Sequence, residues 1–143
     1  MGEVVIIRLP HEQIDGLWSL LSPQINSALR YAHGELALED IRSMAKDGQV
    51  QIWTIQDAES KQLYGTAVTQ VVVYPGLRSL RIITLGGRAL EVWARALSTA
   101  LETFAREQKA RRLEAYGRKG LQKMLEVLAF KPAYVALIKE VET

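Results

Sequence analysis

The 143-residue sequence contains no cysteine, only two histidines, four prolines and two phenylalanines, and no apolar run long enough to span a membrane. Without cysteine there is no disulfide framework, no thiolate metal site and no cysteine nucleophile. His11 and His33 show no metal-ligand spacing, so no metal centre is expected. The few prolines and ten glycines exclude collagen-like and low-complexity chains. A Gly-x-Ser-x-Gly nucleophile turn is absent as well. Near the start, the apolar run at residues 4–7 lies between Glu3 and Arg8. It is too short and too charged for a signal peptide, and far below the roughly 18 apolar residues of a membrane helix. The expected compartment is therefore the cytoplasm.

What is present is 48% hydrophobic and 24% charged residues, the composition of one globular domain over residues 1–143. The net charge of +2 conceals a split. Residues 1–75 carry 5 basic and 9 acidic side chains, net −4, and residues 76–143 carry 13 and 7, net +6. A basic second half implies an anionic partner: a phosphorylated cofactor, a nucleic acid or an acidic protein surface.

Periodicity divides the chain into ten elements. Residues 3–9 are β-branched and end at Pro10, which predicts a strand. Ile14, Leu17, Trp18 and Leu21 share one face of a helix over 11–21 that Ser22-Pro23 should stop. Leu38, Ile41 and Met44/Ala45 mark a second helix over 37–46. Residues 50–56 and 63–74 form a hairpin, and Tyr74-Pro75-Gly76-Leu77 predicts a type II turn into a third strand of this meander at 78–85. A long helix with Leu90, Trp93, Leu97, Ala100/Leu101 and Phe104 on one stripe runs to about residue 109. A strand at 111–116, a helix at 117–128 and a final strand at 132–141 complete the order β-α-α-β-β-β-α-β-α-β. The class is α/β: an antiparallel meander, then a parallel crossover about the long helix.

This succession resembles the GNAT superfamily of acyl-CoA-dependent N-acyltransferases. Phe104-Ala-Arg-Glu-Gln-Lys-Ala-Arg-Arg-Leu113 looks like that family's central helix entering its fifth strand. Leu125-Glu-Val-Leu-Ala-Phe130-Lys-Pro looks like the helix before its Gly-Phe turn. More narrowly, Leu85-Gly-Gly-Arg followed by Trp93, with Tyr-Gly-Arg-Lys-Gly at 116–120, is similar to small divergent GNAT-like proteins of tailed bacteriophages, for which no enzymatic role is evident. The resemblance implies acetyl-CoA or CoA as cofactor and an amine as acceptor.

It also implies a phosphate-binding loop before the central helix, with an Arg/Gln-x-x-Gly-x-Gly/Ala pattern. The matching window is Ala89 to Ala94, where Ala89 replaces the Arg/Gln, Val92 replaces a glycine and Glu91 adds negative charge. Just upstream, Leu85, Gly86, Gly87 and Arg88 offer a substitute: a glycine nest for an anion with Arg88 as its cation, or simply a strand-to-helix turn. In the family a last-helix tyrosine protonates the departing thiolate; its place is held by Leu125. Tyr116 is the remaining phenol, either a general acid or a core-edge residue. Glu114 shares a strand face with Arg112, which favours an ion pair over a general base. His33 and Glu35 are candidates for the acceptor side, with exposed surface residues as the alternative, and Glu39 and Asp40 are either part of that acidic patch or ordinary helix N-terminal acids.

Three functions follow: an N-acyltransferase with a degenerate CoA loop; a catalytically inactive GNAT-fold binding or assembly module with a protein partner; and a nucleic-acid-binding accessory protein. The third would use the basic residues Arg106, Lys109, Arg111, Arg112, Arg118, Lys119 and Lys123 as a phosphate-tracking stripe. Those on the helices alternate with Glu102, Glu107 and Glu126, and no aromatic interleaving accompanies them.

Overall fold

The computed structural model describes residues 3–30, 34–116 and 119–142, and of Lys119 the backbone only. Five strands form one sheet in chain order: β1 (Val4–Arg8), β2 (Gln51–Asp57), β3 (Leu63–Val73), β4 (Arg78–Gly87) and β5 (Arg112–Ala115). The first four pair antiparallel, and β5 pairs parallel to β4. The parallel step follows from α3 (Leu90–Glu107), which carries the chain back along the sheet before β5 begins. Helices α1 (Ile14–Leu29) and α2 (Leu38–Lys46) precede the meander, and α4 (Lys119–Val127) follows β5.

Alternate residues of the central strands feed two cores. Ile52 of β2 and Val68 of β3 pack with Ile14, Trp18, Leu21, Ile25, Ile41 and Ala45 of α1 and α2. Trp53, Ile55, Ala67, Leu80 and Ile82 face the other way, onto Trp93, Leu97, Leu101 and Phe104 of α3. Because both faces are covered, residues 52–55 of β2 are buried without interruption, polar Thr54 included. Trp53 is held in place by its Nε1–H, which donates to Thr69 Oγ1 at 2.9 Å, and by Phe104 edge-on at 5.5 Å.

Three expectations are corrected. First, α1 does not stop at Ser22-Pro23 but runs through Pro23 to Leu29. An interior proline costs about 3 kcal/mol. Leu21 and Ile25, one on each side, are both fully buried, and each contributes about 1.5–3 kcal/mol. The carbonyl that loses its donor belongs to Ser19, an exposed residue with access to water. Second, the β3–β4 turn is not type II: Gly76 is not among the glycines with positive φ, and the turn closes by the Tyr74 amide donating to the Leu77 carbonyl at 2.8 Å. Third, residues 132–141 form no strand. Their apolar residues do not alternate with polar ones, so covering one face does not bury them.

Both later helices end in a left-handed residue that is not glycine. Lys109 (φ 59°) follows α3, and Ala129 (φ 71°) follows α4. In each the next amide reaches back one turn, Ala110 to the Ala105 carbonyl at 2.8 Å and Phe130 to the Leu125 carbonyl at 3.0 Å.

Candidate functional site

The β4–α3 junction is built by close backbone crossing. Gly87 has φ 140°, and a Cβ there would overlap the Tyr64 carbonyl oxygen and Gly65 of β3. Gly65 in turn is overlain by the Trp93 indole. Trp93 is fully buried, and its Nε1–H donates to the Arg88 carbonyl at 2.8 Å, tying the first turn of α3 to the loop before it. The Arg88 amide donates to the Tyr64 carbonyl at 2.9 Å, so it is not free to serve an anion, and the Arg88 guanidinium lies 4.7 Å from the centre of the Tyr64 ring. Ala89 adopts a left-handed conformation (φ 56°) and starts α3. The amides of Ala89, Leu90 and Glu91 open the helix without intrahelical acceptors, at the positive end of an 18-residue dipole. Exposed Glu91 sits in that same turn.

Next to this junction β4 loses its outer neighbour. β5 pairs only with residues 79–82 of β4. Ile83 is the extra residue of a β-bulge, since Thr84 pairs with Val68 and Ile82 with Thr69. From Ile83 to Gly87 the outer side of β4 therefore faces no strand among the described residues. Between α3 and α4 this opening is filled by Leu85, Leu97, Leu113, Met124, Leu125 and Phe130, which leave a free volume of about 10 Å³, room for about one water. Leu125, at the family's tyrosine position, is part of that apolar filling.

On the opposite face of β4 and β5 lies a polar cluster that only strand register could assemble. Pairing of Arg81 with Glu114 sets their side chains together. Arg81 Nε donates to Glu114 Oε1 at 3.0 Å, Arg112 Nη2 to Oε2 at 3.3 Å, and the Tyr74 hydroxyl to Oε1 at 2.9 Å. Burial works to raise the Glu114 carboxyl, but the hydrogen bonds from Tyr74, Arg81 and Arg112 and the charge of Arg81 outweigh it and hold it below the usual range. A carboxylate so stabilised is a weak base. Tyr116 is 64% exposed, with its hydroxyl 3.5 Å from Arg81 Nη2 and its ring under that guanidinium. It stands with this cluster, away from Leu125.

Beneath α1, three buried polar atoms have no partner among the described residues: Gln24 Oε1, Thr66 Oγ1 and Thr84 Oγ1. Thr66 pairs with Gly86 and Thr84 with Val68, on the face that α1 covers, and Gln24 and Ala28 are the α1 residues over Gly86. Of the expected acceptor-side residues, His33 lies outside the described residues, as does Arg118 of the expected basic stripe, and Glu35 is exposed in the loop before α2. Asp40 is a capping residue, its Oδ2 accepting from the Ala37 amide at 2.8 Å. Among the described residues no group of three or more His, Asp or Glu could hold a metal ion, and no helix is long and apolar enough to cross a membrane.

No protein-family model and no curated protein sequence matches the chain. Solved structures do. A ribosomal-protein-alanine N-acetyltransferase from Brucella melitensis biovar Abortus 2308 superposes with TM-score 0.72 at 15% identity, over 98% of this chain and 100% of that one. A glucosamine-6-phosphate N-acetyltransferase from Arabidopsis thaliana gives 0.67 at 10% identity, over 99% and 100%. The fold is that of the GNAT acetyltransferases. The same fold appears in a protein described as a transcriptional regulator from Bacillus halodurans C-125, with TM-score 0.67, 14% identity and 97% and 100% coverage. Identities this low establish the GNAT fold alone, and activity has to be argued from the site.

Proposed function

We propose that the chain is a GNAT-type N-acyltransferase that binds acetyl-CoA or CoA at the start of α3 and transfers the acyl group to an amine. The observation that carries this is the junction itself: β4 with no outer strand partner beyond Ile82 among the described residues, followed directly by the amides of Ala89, Leu90 and Glu91, which have no intrahelical acceptors. The phosphate end of the cofactor fits these amides, with Arg88 adjacent. The thioester end fits less well, because Leu85, Leu125 and Phe130 close the α3–α4 cleft. Bound acyl-CoA would supply the activated acyl group. This chain's residues would hold the phosphates and exclude water from the cleft.

The closed cleft, Leu125 in place of a proton donor and Glu114 locked in ion pairs favour a second reading. In it the chain is a catalytically inactive GNAT-fold binding or assembly module, the role that its resemblance to phage-encoded GNAT-like proteins implies. Melting with and without acetyl-CoA tests whether the cofactor binds at all. Ligand at 100 times its dissociation constant stabilises by about 2.7 kcal/mol. If the phosphates lie at α3, Glu91→Gln tightens binding about 2- to 5-fold by removing a charge from the helix terminus. No shift at millimolar acetyl-CoA or CoA removes the cofactor reading. A shift that Glu91→Gln leaves unchanged moves the phosphates elsewhere.

A further inference from the structure

The polar cluster on β4 and β5 has more donors than its own carboxylate can take. Both oxygens of Glu114 are occupied: Oε1 accepts from Arg81 Nε at 3.0 Å and from the Tyr74 hydroxyl at 2.9 Å, and Oε2 accepts from Arg112 Nη2 at 3.3 Å. Arg81 Nη2 donates to the Tyr74 and Tyr116 hydroxyls at 3.1 and 3.5 Å, whereas Arg81 Nη1 meets no acceptor among the described residues. Because the Tyr116 oxygen accepts from Arg81, its own O–H points away from that guanidinium. Two guanidiniums on one carboxylate also leave one positive charge in excess.

That excess is what the surface presents. Leu113 and Ala115 turn to the α3 core, so Arg112 and Glu114 stand on the opposite face of β5. There the Arg81 and Arg112 side chains are 28% and 41% exposed, against 16% for Glu114. The forks are also held in place before anything binds. The Arg81 guanidinium lies 5.0 Å from the centre of the Tyr116 ring, that of Arg112 lies 5.5 Å from the Tyr74 ring, and Glu114 fixes both. Groups ordered in advance lose little freedom on binding. A ligand group that brings negative charge and acceptors without donors, a carboxylate or a phosphate, matches this surface.

We propose that Arg81, Arg112 and Tyr116 form an anion subsite, and that the acceptor of this chain is an amine that also carries a carboxylate or a phosphate. The acceptor half rests on the acyltransferase reading; the anion subsite does not. Placement joins the two. Arg81 pairs with Glu114 one residue before Ile82 and Ala115, the last pair of β4 and β5, and from Ile83 onward the outer side of β4 faces no strand among the described residues. Residues 83 and 84 of this open stretch lie about 7–10 Å along the strand from Arg81 at about 3.3 Å per residue. The α3–α4 side of the opening is filled by apolar side chains, so a charged acceptor comes from the face of the cluster. An anion seated on Arg81 and Tyr116 then sets an amine several bonds away at the opening.

An NMR titration of the free full-length protein at constant ionic strength, read at the backbone amides of β5 and Tyr116, tests the subsite without cofactor. The probes are 6-aminohexanoate and O-phosphoethanolamine, with 6-aminohexanamide and ethanolamine as counterparts that lack the anion. The tighter of the two anionic probes names the group, and it should bind about 10-fold more tightly than its counterpart. Arg81→Gln with Glu114→Gln removes both partners of the pair together and should abolish that preference. Tyr116→Phe, at an exposed position, should keep the fold and weaken binding about 2- to 5-fold. Equal affinity with and without the anion, or affinity that both variants leave unchanged, overturns the proposal. Acetyl transfer is followed by thiol release, which a chain without cysteine leaves free of background. In it the amide forms as the C–S bond breaks, and the amine's proton leaves on the thiol. Anionic amines should give a kcat/KM about 10-fold above their counterparts, and the opposite preference overturns the acceptor class. Anion binding by a protein whose melting acetyl-CoA does not shift overturns the acyltransferase reading, and the acceptor role with it, while the subsite stands.

Discussion

Threonine-to-valine changes at three buried positions should act in opposite directions. Thr66, Thr69 and Thr84 are each at most 5% exposed and lie on neighbouring strands. Thr69 Oγ1 accepts from Trp53 Nε1 at 2.9 Å and donates to Gln51 Oε1 at 2.8 Å. The hydroxyls of Thr66 and Thr84 have no partner among the described residues. Burying an unpaired hydroxyl costs about 1–3 kcal/mol, and valine keeps the branched shape without leaving a cavity. Thr84→Val and Thr66→Val should each stabilise the free protein by about 1 kcal/mol, which for a domain of this length raises Tm by about 3–5 °C. Thr69→Val strands the Trp53 N–H and the Gln51 carbonyl and should lower stability by about 1–3 kcal/mol. Urea unfolding of the three variants under one set of conditions measures this, and an unchanged m-value assigns the difference to stability. A loss of stability in Thr84→Val comparable to that in Thr69→Val would refute the reasoning, because the hydroxyl would then have a partner beneath α1.

Ala129→Gly should stabilise by about 1 kcal/mol: left-handed φ costs a Cβ-bearing residue about 1–2 kcal/mol, of which the entropy of glycine returns part, and thermal melting checks it. Glu114 titrates below its ordinary range in the folded state, so its contribution is fully present above its unfolded pKa of about 4.3 and is lost as pH falls through the lower folded value. Glu114→Gln should therefore destabilise the protein at neutral pH and flatten the acid limb of its stability curve. Acid unfolding followed by circular dichroism, with wild type in parallel, would show an unaltered limb if the ion pairs contributed nothing.

The meander, the crossover and the two apolar stripes were legible because each rests on local signals: β-branched runs, Asp57 to Lys61 as a polar break, and the spacing of Leu90, Trp93, Leu97 and Leu101. Pro23 misled because the burial of Leu21 and Ile25 is a tertiary effect that local rules do not contain. The polar cluster was half legible. Arg112 and Glu114 lie two apart on one strand and were paired from spacing alone, but Tyr74 and Arg81 are 40 and 33 residues from Glu114. They join it only through the register of β4 and β5. An opposite-charge pair on two strands expected to be parallel neighbours was the available signal. Gly86-Gly87 correctly marked the junction. That Gly87 is required by the crossing over Tyr64, with the Arg88 amide committed there, depends on contacts from β3 that the local pattern does not reveal.

The charge split takes on a different meaning once the faces are known. A basic second half suggested one cationic surface for an anionic ligand, yet its members point in different directions and meet different partners. Arg81 and Arg112 neutralise Glu114 on the face away from α3. Arg88 lies on the Tyr64 ring at the head of α3. Arg106 and Lys109 belong to the far end of that helix, about 25 Å from its first amides at 1.5 Å per residue, beyond the Debye length at physiological salt. Arg106 and Lys109 therefore add little at the candidate phosphate position. The groups nearest to it are the first-turn amides, Arg88 and Glu91, with exposed Arg95 about 7.5 Å further along the helix at 1.5 Å per residue. It follows that salt should weaken cofactor binding only modestly, whereas binding through the dispersed basic residues to nucleic acid would fall steeply with salt.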